Sequence, residues 1–132
     1  YTVADRRRGD EEPWLVFTGD SLLVGDVGRP DLHAIGDAEP LARTLFASLQ
    51  RLLELPDGVL VLPSHYGGSV CGRSLSGNPF STIGFERHHN TSLAAADVDT
   101  FVRELLVDVP AAPADQAAIV AANRAGTVPT RK

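Results

Sequence analysis

Apolar residues come in short runs along this chain, and the polar residues that stop them are as informative as the runs. Trp14 to Thr18 is an apolar stretch with β-branched and aromatic members, cut off by Gly19 and followed at once by Asp20. That is the pattern of a buried strand delivering a carboxylate to its C-terminal end. Val59-Leu60-Val61-Leu62 repeats the arrangement, a continuous run that reads as a strand buried on both faces, and it ends at Pro63-Ser64-His65. Between the two, Pro40 opens a helix with Leu41, Leu45, Leu49, Leu52 and Leu53 on one stripe, closed by Pro56-Asp57-Gly58. Strand, helix and strand in that order predict an α/β fold. Asp20 and His65, each just past a strand end, then sit together at one edge, where α/β sheets put their chemistry.

The remaining pattern is scaffold. Tyr1 to Ala4 reads as a short strand and Asp5 to Pro13 as a charged hairpin loop. Thr82 to His89 reads as a helix capped by Ser81 or Thr82, with Arg87, His88 and His89 at the end where cations suit the helix dipole. Asp97 caps another helix, in which Val98, Phe101, Val102, Leu105 and Leu106 recur at core-facing spacing before Pro110. An alanine-rich helix closes at Gly126, so residues 1–126 are expected to form one unit and 127–132 a basic tail or linker. Gly67 to Pro79 is a glycine-rich loop, of the kind that is usually functional, and it carries the single cysteine, Cys71.

Composition narrows the partners. The 132 residues carry a formal charge of −5 with no basic stripe, which leaves neither nucleic acid nor an anionic membrane surface an electrostatic footprint. No apolar run approaches a membrane span, and the first residues lack the apolar stretch of a signal peptide. One cysteine excludes an internal disulfide, so the expected compartment is the cytoplasm.

The string Phe17-Thr18-Gly19-Asp20-Ser21-Leu22-Leu23-Val24-Gly25-Asp26-Val27-Gly28-Arg29-Pro30-Asp31-Leu32 resembles the metallo-β-lactamase superfamily, where a Thr-Gly-Asp after a central strand supplies a metal-binding carboxylate. Within it, the string is similar to the glyoxalase II and persulfide dioxygenase branch, especially members linked to rhodanese domains. A second block, Leu62 to Gly72 and on through Ser81 to Arg87, falls where that branch has its next metal-site histidine and the loop after it. Ser64 departs from the branch's usual Pro-Gly-His.

The resemblance implies half of a four-layered αββα sandwich, the C-terminal half. The upstream Gly-His-Thr and His-x-His-x-Asp-His motifs of the family are not in this chain. A lone half would leave uncovered the sheet face that normally packs on its twin, so the missing N-terminal half, another chain or a homo-oligomer is expected to complete it. A rhodanese domain is a further possible neighbour.

Three functions compete, the first two implied by the resemblance and the third by the shortage of metal donors in this chain. In a non-haem Fe(II) dioxygenase acting on glutathione persulfide or a similar small persulfide, Asp20 matches the carboxylate of a facial triad, and His65 lines the site without binding the single iron. In a glyoxalase II-like thioesterase with one or two zinc or related ions, Asp20 bridges and His65 binds the second ion. In a catalytically silent piece, the chain serves as scaffold or interaction surface. Cys71 matches a cysteine implicated in sulfur handling. Arg29 and Tyr66 are candidates for substrate contact, with an Arg29–Asp31 pair that holds the loop as the competing role for Arg29.

Overall fold

The structure, a computed structural model, describes residues 1–7, 9, 12–32, 37–67, 75–107 and 114–126. Four strands make the main sheet: β1 (Thr2–Val3), β2 (Leu15–Gly19), β5 (Leu60–Pro63) and β6 (Ser81–Thr82), adjacent in that order. The central pair, β2 and β5, is parallel, with Val16 opposite Val61 and Phe17 opposite Leu62, while β1 and β6 run antiparallel to their neighbours at the edges. A parallel pair needs a crossover. Here it contains a small hairpin, β3 (Leu22–Leu23) and β4 (Asp26–Val27), then a 3-10 turn at Pro30–Leu32 and the helix α1 (Glu39–Leu53).

After β6 the chain enters α2 (Ile83–His89), a 3-10 turn at Thr91–Leu93, α3 (Val98–Leu106) and α4 (Gln116–Ala125). The caps are chemical. Thr82 Oγ1 accepts from the Phe85 amide at 3.1 Å, and the Asp97 carboxylate accepts from the Thr100 amide at 2.7 Å. The latter bond, first among its causes, holds Asp97 below its ordinary pKa of 3.8. α4 ends at Gly126, whose φ of 74° suits a residue without Cβ.

One core fills the space between the sheet and its helices: Val16, Val61 and Ile83 from the sheet side meet Leu49 of α1 and Phe101 and Leu105 of α3. Phe46 and Phe101 tilt against each other with ring centres 5.2 Å apart. The inward stripe of α1 is Ala42, Leu45, Phe46, Leu49 and Leu52. This corrects the stripe expected from its leucines. Leu45, Leu49 and Leu52 face inward as expected, but Leu41 is exposed and Leu53 is not part of the core, while Ala42 and Phe46 join the stripe, Phe46 against Phe101 of α3.

A second correction concerns burial. β2 and β5 are not covered on both faces, since Val16 and Val61 are buried while Phe17 is half exposed and Leu60 and Leu62 are only partly covered. Helices cover one face of the sheet. Val3, Leu15, Phe17 and Leu62, on the other face, are not among the described side chains packed into this core, which is how a two-sheet sandwich cut between its sheets would look. Among the described residues no helix is long and apolar enough to cross a membrane.

Candidate metal centre

Asp20 follows Gly19, where β2 ends, and His65 follows Ser64, just past the end of β5. Adjacent parallel strands that end in step bring their first loop residues side by side. Gly19 pairs with Pro63 across a register irregularity, and the Ser64 amide donates to the Gly19 carbonyl at 3.1 Å, tying the two exits together. Gly19 has φ of 57°, a left-handed turn that sends the chain sharply off the strand and that a side chain would strain. The result is a contact: His65 Nδ1 lies 2.7 Å from Asp20 Oδ1.

Both side chains are 42% exposed, so the pair sits at an open rim that another group can reach. With the proton on Nδ1, the imidazole donates to Oδ1 and keeps Nε2 for a further partner, as the carboxylate keeps Oδ2. Among the described residues no group of three or more His, Cys, Asp or Glu side chains is clustered for a metal ion. An imidazole nitrogen and a carboxylate oxygen are donors that zinc and iron accept, and in that respect the pair fits a metal. Two donors fall short of the three protein ligands that catalytic sites commonly use.

The loop that carries Asp20 folds back on itself. Thr18 Oγ1 donates to the Leu22 carbonyl at 2.7 Å, the Ser21 amide to Thr18 and the Gly28 amide to Ser21 at 3.2 Å. Gly28 lies directly beneath the Asp20 peptide, where a Cβ would come 1.8 Å from the Asp20 carbonyl oxygen. Beside it Arg29 grips Asp31 with two bonds, Nη2–Oδ2 at 2.6 Å and Nε–Oδ1 at 3.2 Å, both side chains largely buried. The loop-holding role expected for that pair is thus in place. Asp20, Gly28, Arg29, Leu41 and Thr44 line a cavity of about 300 Å³.

Tyr66 is exposed, next to His65. Cys71 lies outside the described residues. Sequence reasoning missed the β3–β4 hairpin and the buried polar side chains behind it, Asp26, Glu86 and Asn90, with the partly buried Ser92 beside them. The signal was Gly25 between two short apolar runs, a hairpin turn of φ 81°.

No family model matches the chain. An uncharacterized protein of Mycobacterium tuberculosis, Rv2581c, is 39% identical over 80 residues, which is 61% of this chain and 33% of that protein. Hydroxyacylglutathione hydrolase GloC of Haemophilus influenzae is 35% identical over 72 residues, 54% of this chain and 32% of that protein. Among solved structures, a metallo-beta-lactamase from Staphylococcus aureus aligns with a TM-score of 0.75 and 36% identity over 88% of this chain and 33% of its own. ETHE1 from Myxococcus xanthus aligns with a TM-score of 0.61 and 35% identity over 85% and 44%. The chain spans about a third of the length of the curated relatives it matches.

Proposed function

The chain carries the C-terminal half of a metallo-β-lactamase fold, and from that premise we propose that its full-length protein is a non-haem iron dioxygenase of small persulfides, glutathione persulfide being the substrate of choice. The observation that carries the proposal is the 2.7 Å contact between Asp20 and His65 at the ends of adjacent parallel strands. It gives the site one carboxylate and one imidazole on a common rim, and the complementary half would supply both iron-binding histidines. The string from Phe17 to Leu32, similar to the persulfide dioxygenase branch, and the likeness to ETHE1 support this reading over its neighbours.

When bound, an Fe(II) ion would supply open positions for dioxygen and for the sulfur of the substrate. The chain's own residues act around it. Asp20 offers the carboxylate, and His65 orients that carboxylate through the Nδ1–Oδ1 bond, the role outer-shell partners usually take. The cavity beside Asp20, walled by Leu41 and Leu45 and edged by Arg29 and Thr44, is the path by which a small thiol carrier would approach. Tyr66, exposed next to His65, flanks the entrance. We also read residues 1–126 as the structural unit and 127–132 as a linker, and Cys71 as a sulfur-handling thiol.

A glyoxalase II-like thioesterase is the second reading, favoured by the likeness to hydroxyacylglutathione hydrolase GloC. There His65 is a ligand in its own right and Asp20 a bridge between two ions. Oxygen uptake with glutathione persulfide, measured against hydrolysis of a lactoylglutathione-type thioester, separates the two in the full-length protein. The dioxygenase reading expects uptake without hydrolysis, iron that His65→Ala still binds though more weakly, and no activity in Asp20→Ala. Thioester hydrolysis with loss of metal in His65→Ala would overturn it. Taken alone, the 132 residues are expected to show no turnover, since two donors do not hold a catalytic ion tightly.

A further inference from the structure

Behind the rim lies a buried polar cluster that the proposed chemistry does not use. Glu86, on α2, is fully buried, and one of its oxygens, Oε1, has no hydrogen-bond partner among the described residues. Burying a carboxylate in this way is unfavourable unless its other bonds compensate. Those bonds converge on the turn of the β3–β4 hairpin. Glu86 Oε2 accepts from the Gly25 amide at 3.0 Å and from Asn90 Nδ2 at 2.8 Å, and the same Asn90 amide donates to the Asp26 carbonyl at 3.0 Å. Ser92 Oγ donates to Asp26 Oδ1 at 3.0 Å. The turn is therefore gripped from α2 and the segment after it.

From the gripped turn, two short paths lead to the metal-facing pair. Along the chain, Asp26 leads to Gly28, which lies against the Asp20 peptide and donates to Ser21. Across space, the Val24 carbonyl accepts from the Ser76 amide at 3.1 Å, and the Ser76 carbonyl accepts at 2.8 Å from Gly67, two residues after His65. One hairpin turn thus braces both arms of the rim.

We propose that Glu86, assisted by Asn90, is a positioning residue for the Asp20–His65 pair: by fixing the hairpin turn it sets the carboxylate where a metal ion can use it. The proposal rests on the metal-facing role given to Asp20 above, and its test separates the two. In the full-length protein, Co(II) affinity is measured by chelator competition and its visible ligand-field bands are recorded, with melting temperature alongside. Glu86→Leu keeps the bulk and removes both accepted bonds, and it is expected to weaken Co(II) about 10- to 100-fold and to shift the bands, as loss of an outer-shell partner does. Glu86→Gln still accepts both bonds through its amide oxygen and is expected to stay within about three-fold of wild type. Val102→Ala, a core cavity on α3 that leaves every hydrogen bond of Glu86 in place, is expected to lower the melting temperature while leaving affinity and bands unchanged.

Should Glu86→Leu not fold, Ser92→Ala removes a single bond to Asp26 and is expected to weaken Co(II) at least about three-fold. Affinity and bands like wild type in Glu86→Leu, or in Ser92→Ala where that variant replaces it, would overturn the proposal while Asp20→Ala still loses cobalt. Cobalt retained in Asp20→Ala would overturn the metal-facing reading itself.

Discussion

Replacing Gly28 by alanine tests how closely the hairpin is seated under Asp20. The Cβ would come 1.8 Å from the Asp20 carbonyl oxygen and 3.0 Å from the carbonyl carbon. Carbon and oxygen settle at about 3.3 Å or more, so one strand of the loop must give way by roughly 1.5 Å. The obstacle is backbone, which cannot swing aside like a flexible side chain. Overpacking of this kind costs about 1–3 kcal/mol, and weakening the Gly28–Ser21 hydrogen bond adds about 1 kcal/mol. For a chain of this size that total lowers the melting temperature by about 6–15 °C. Gly58→Ala is the matched control, because nothing lies within 4 Å of its Cβ and its φ is not positive. It is expected to leave stability unchanged or raise it by about 0.4–1 kcal/mol through the unfolded chain. Thermal melts followed by circular dichroism compare the two directly. A Gly28→Ala protein that melts with wild type would show that the hairpin is not pressed against Asp20, and the positioning argument for the rim would lose its mechanical basis.

Acid should loosen α3 through its cap: Asp97 is held below its ordinary 3.8, so its contribution is complete above that value and is lost as pH falls through the lower folded-state value. Asp97→Asn, which still caps but does not titrate, should flatten that acid limb in melts between pH 2 and 6, and an unchanged slope would refute the assignment. Arg87 donates to the Leu53 and Leu55 carbonyls at 2.6 and 3.1 Å and pairs with Asp57, closing the C-terminal end of α1. Arg87→Ala should cost about 1–3 kcal/mol in a urea titration, with little rescue by lysine, whose single ammonium cannot span these acceptors. Phe17→Lys places a charge on the uncovered sheet face; it should be nearly neutral in the 132-residue chain yet cost about 2 kcal/mol or more where the complementary half covers that face. Equal effects in both contexts would argue against the two-sheet sandwich.

The sequence carried the fold where burial and spacing agree. Two strands stopped by Gly19 and Pro63, and helices capped by Thr82 and Asp97, were legible because each boundary is a local chemical event. The adjacency of Asp20 and His65 was legible too, since parallel neighbours that end in step bring their exits together. The stripe of α1 was misread in part because leucines were weighed by type, so that Leu41 was counted in while Ala42 and Phe46, which packs on Phe101, were left out. The strands' uncovered face was misread because a continuous apolar run looks the same whether its second cover lies in this chain or elsewhere. Glu86 was invisible for a different reason: its partner Gly25 lies about sixty positions away, and no local pattern marks a long-range hydrogen bond.

The central claim is that Asp20 and His65 form one arm of a metal site whose other arm belongs to the complementary half of the fold. Metal content of the purified full-length protein, by plasma emission spectrometry on wild type and Asp20→Ala, tests it most directly. Bound iron or zinc in the wild type, with none in Asp20→Ala, is the expected result. Equal metal in both, with Asp20→Ala folded as wild type, would contradict the claim.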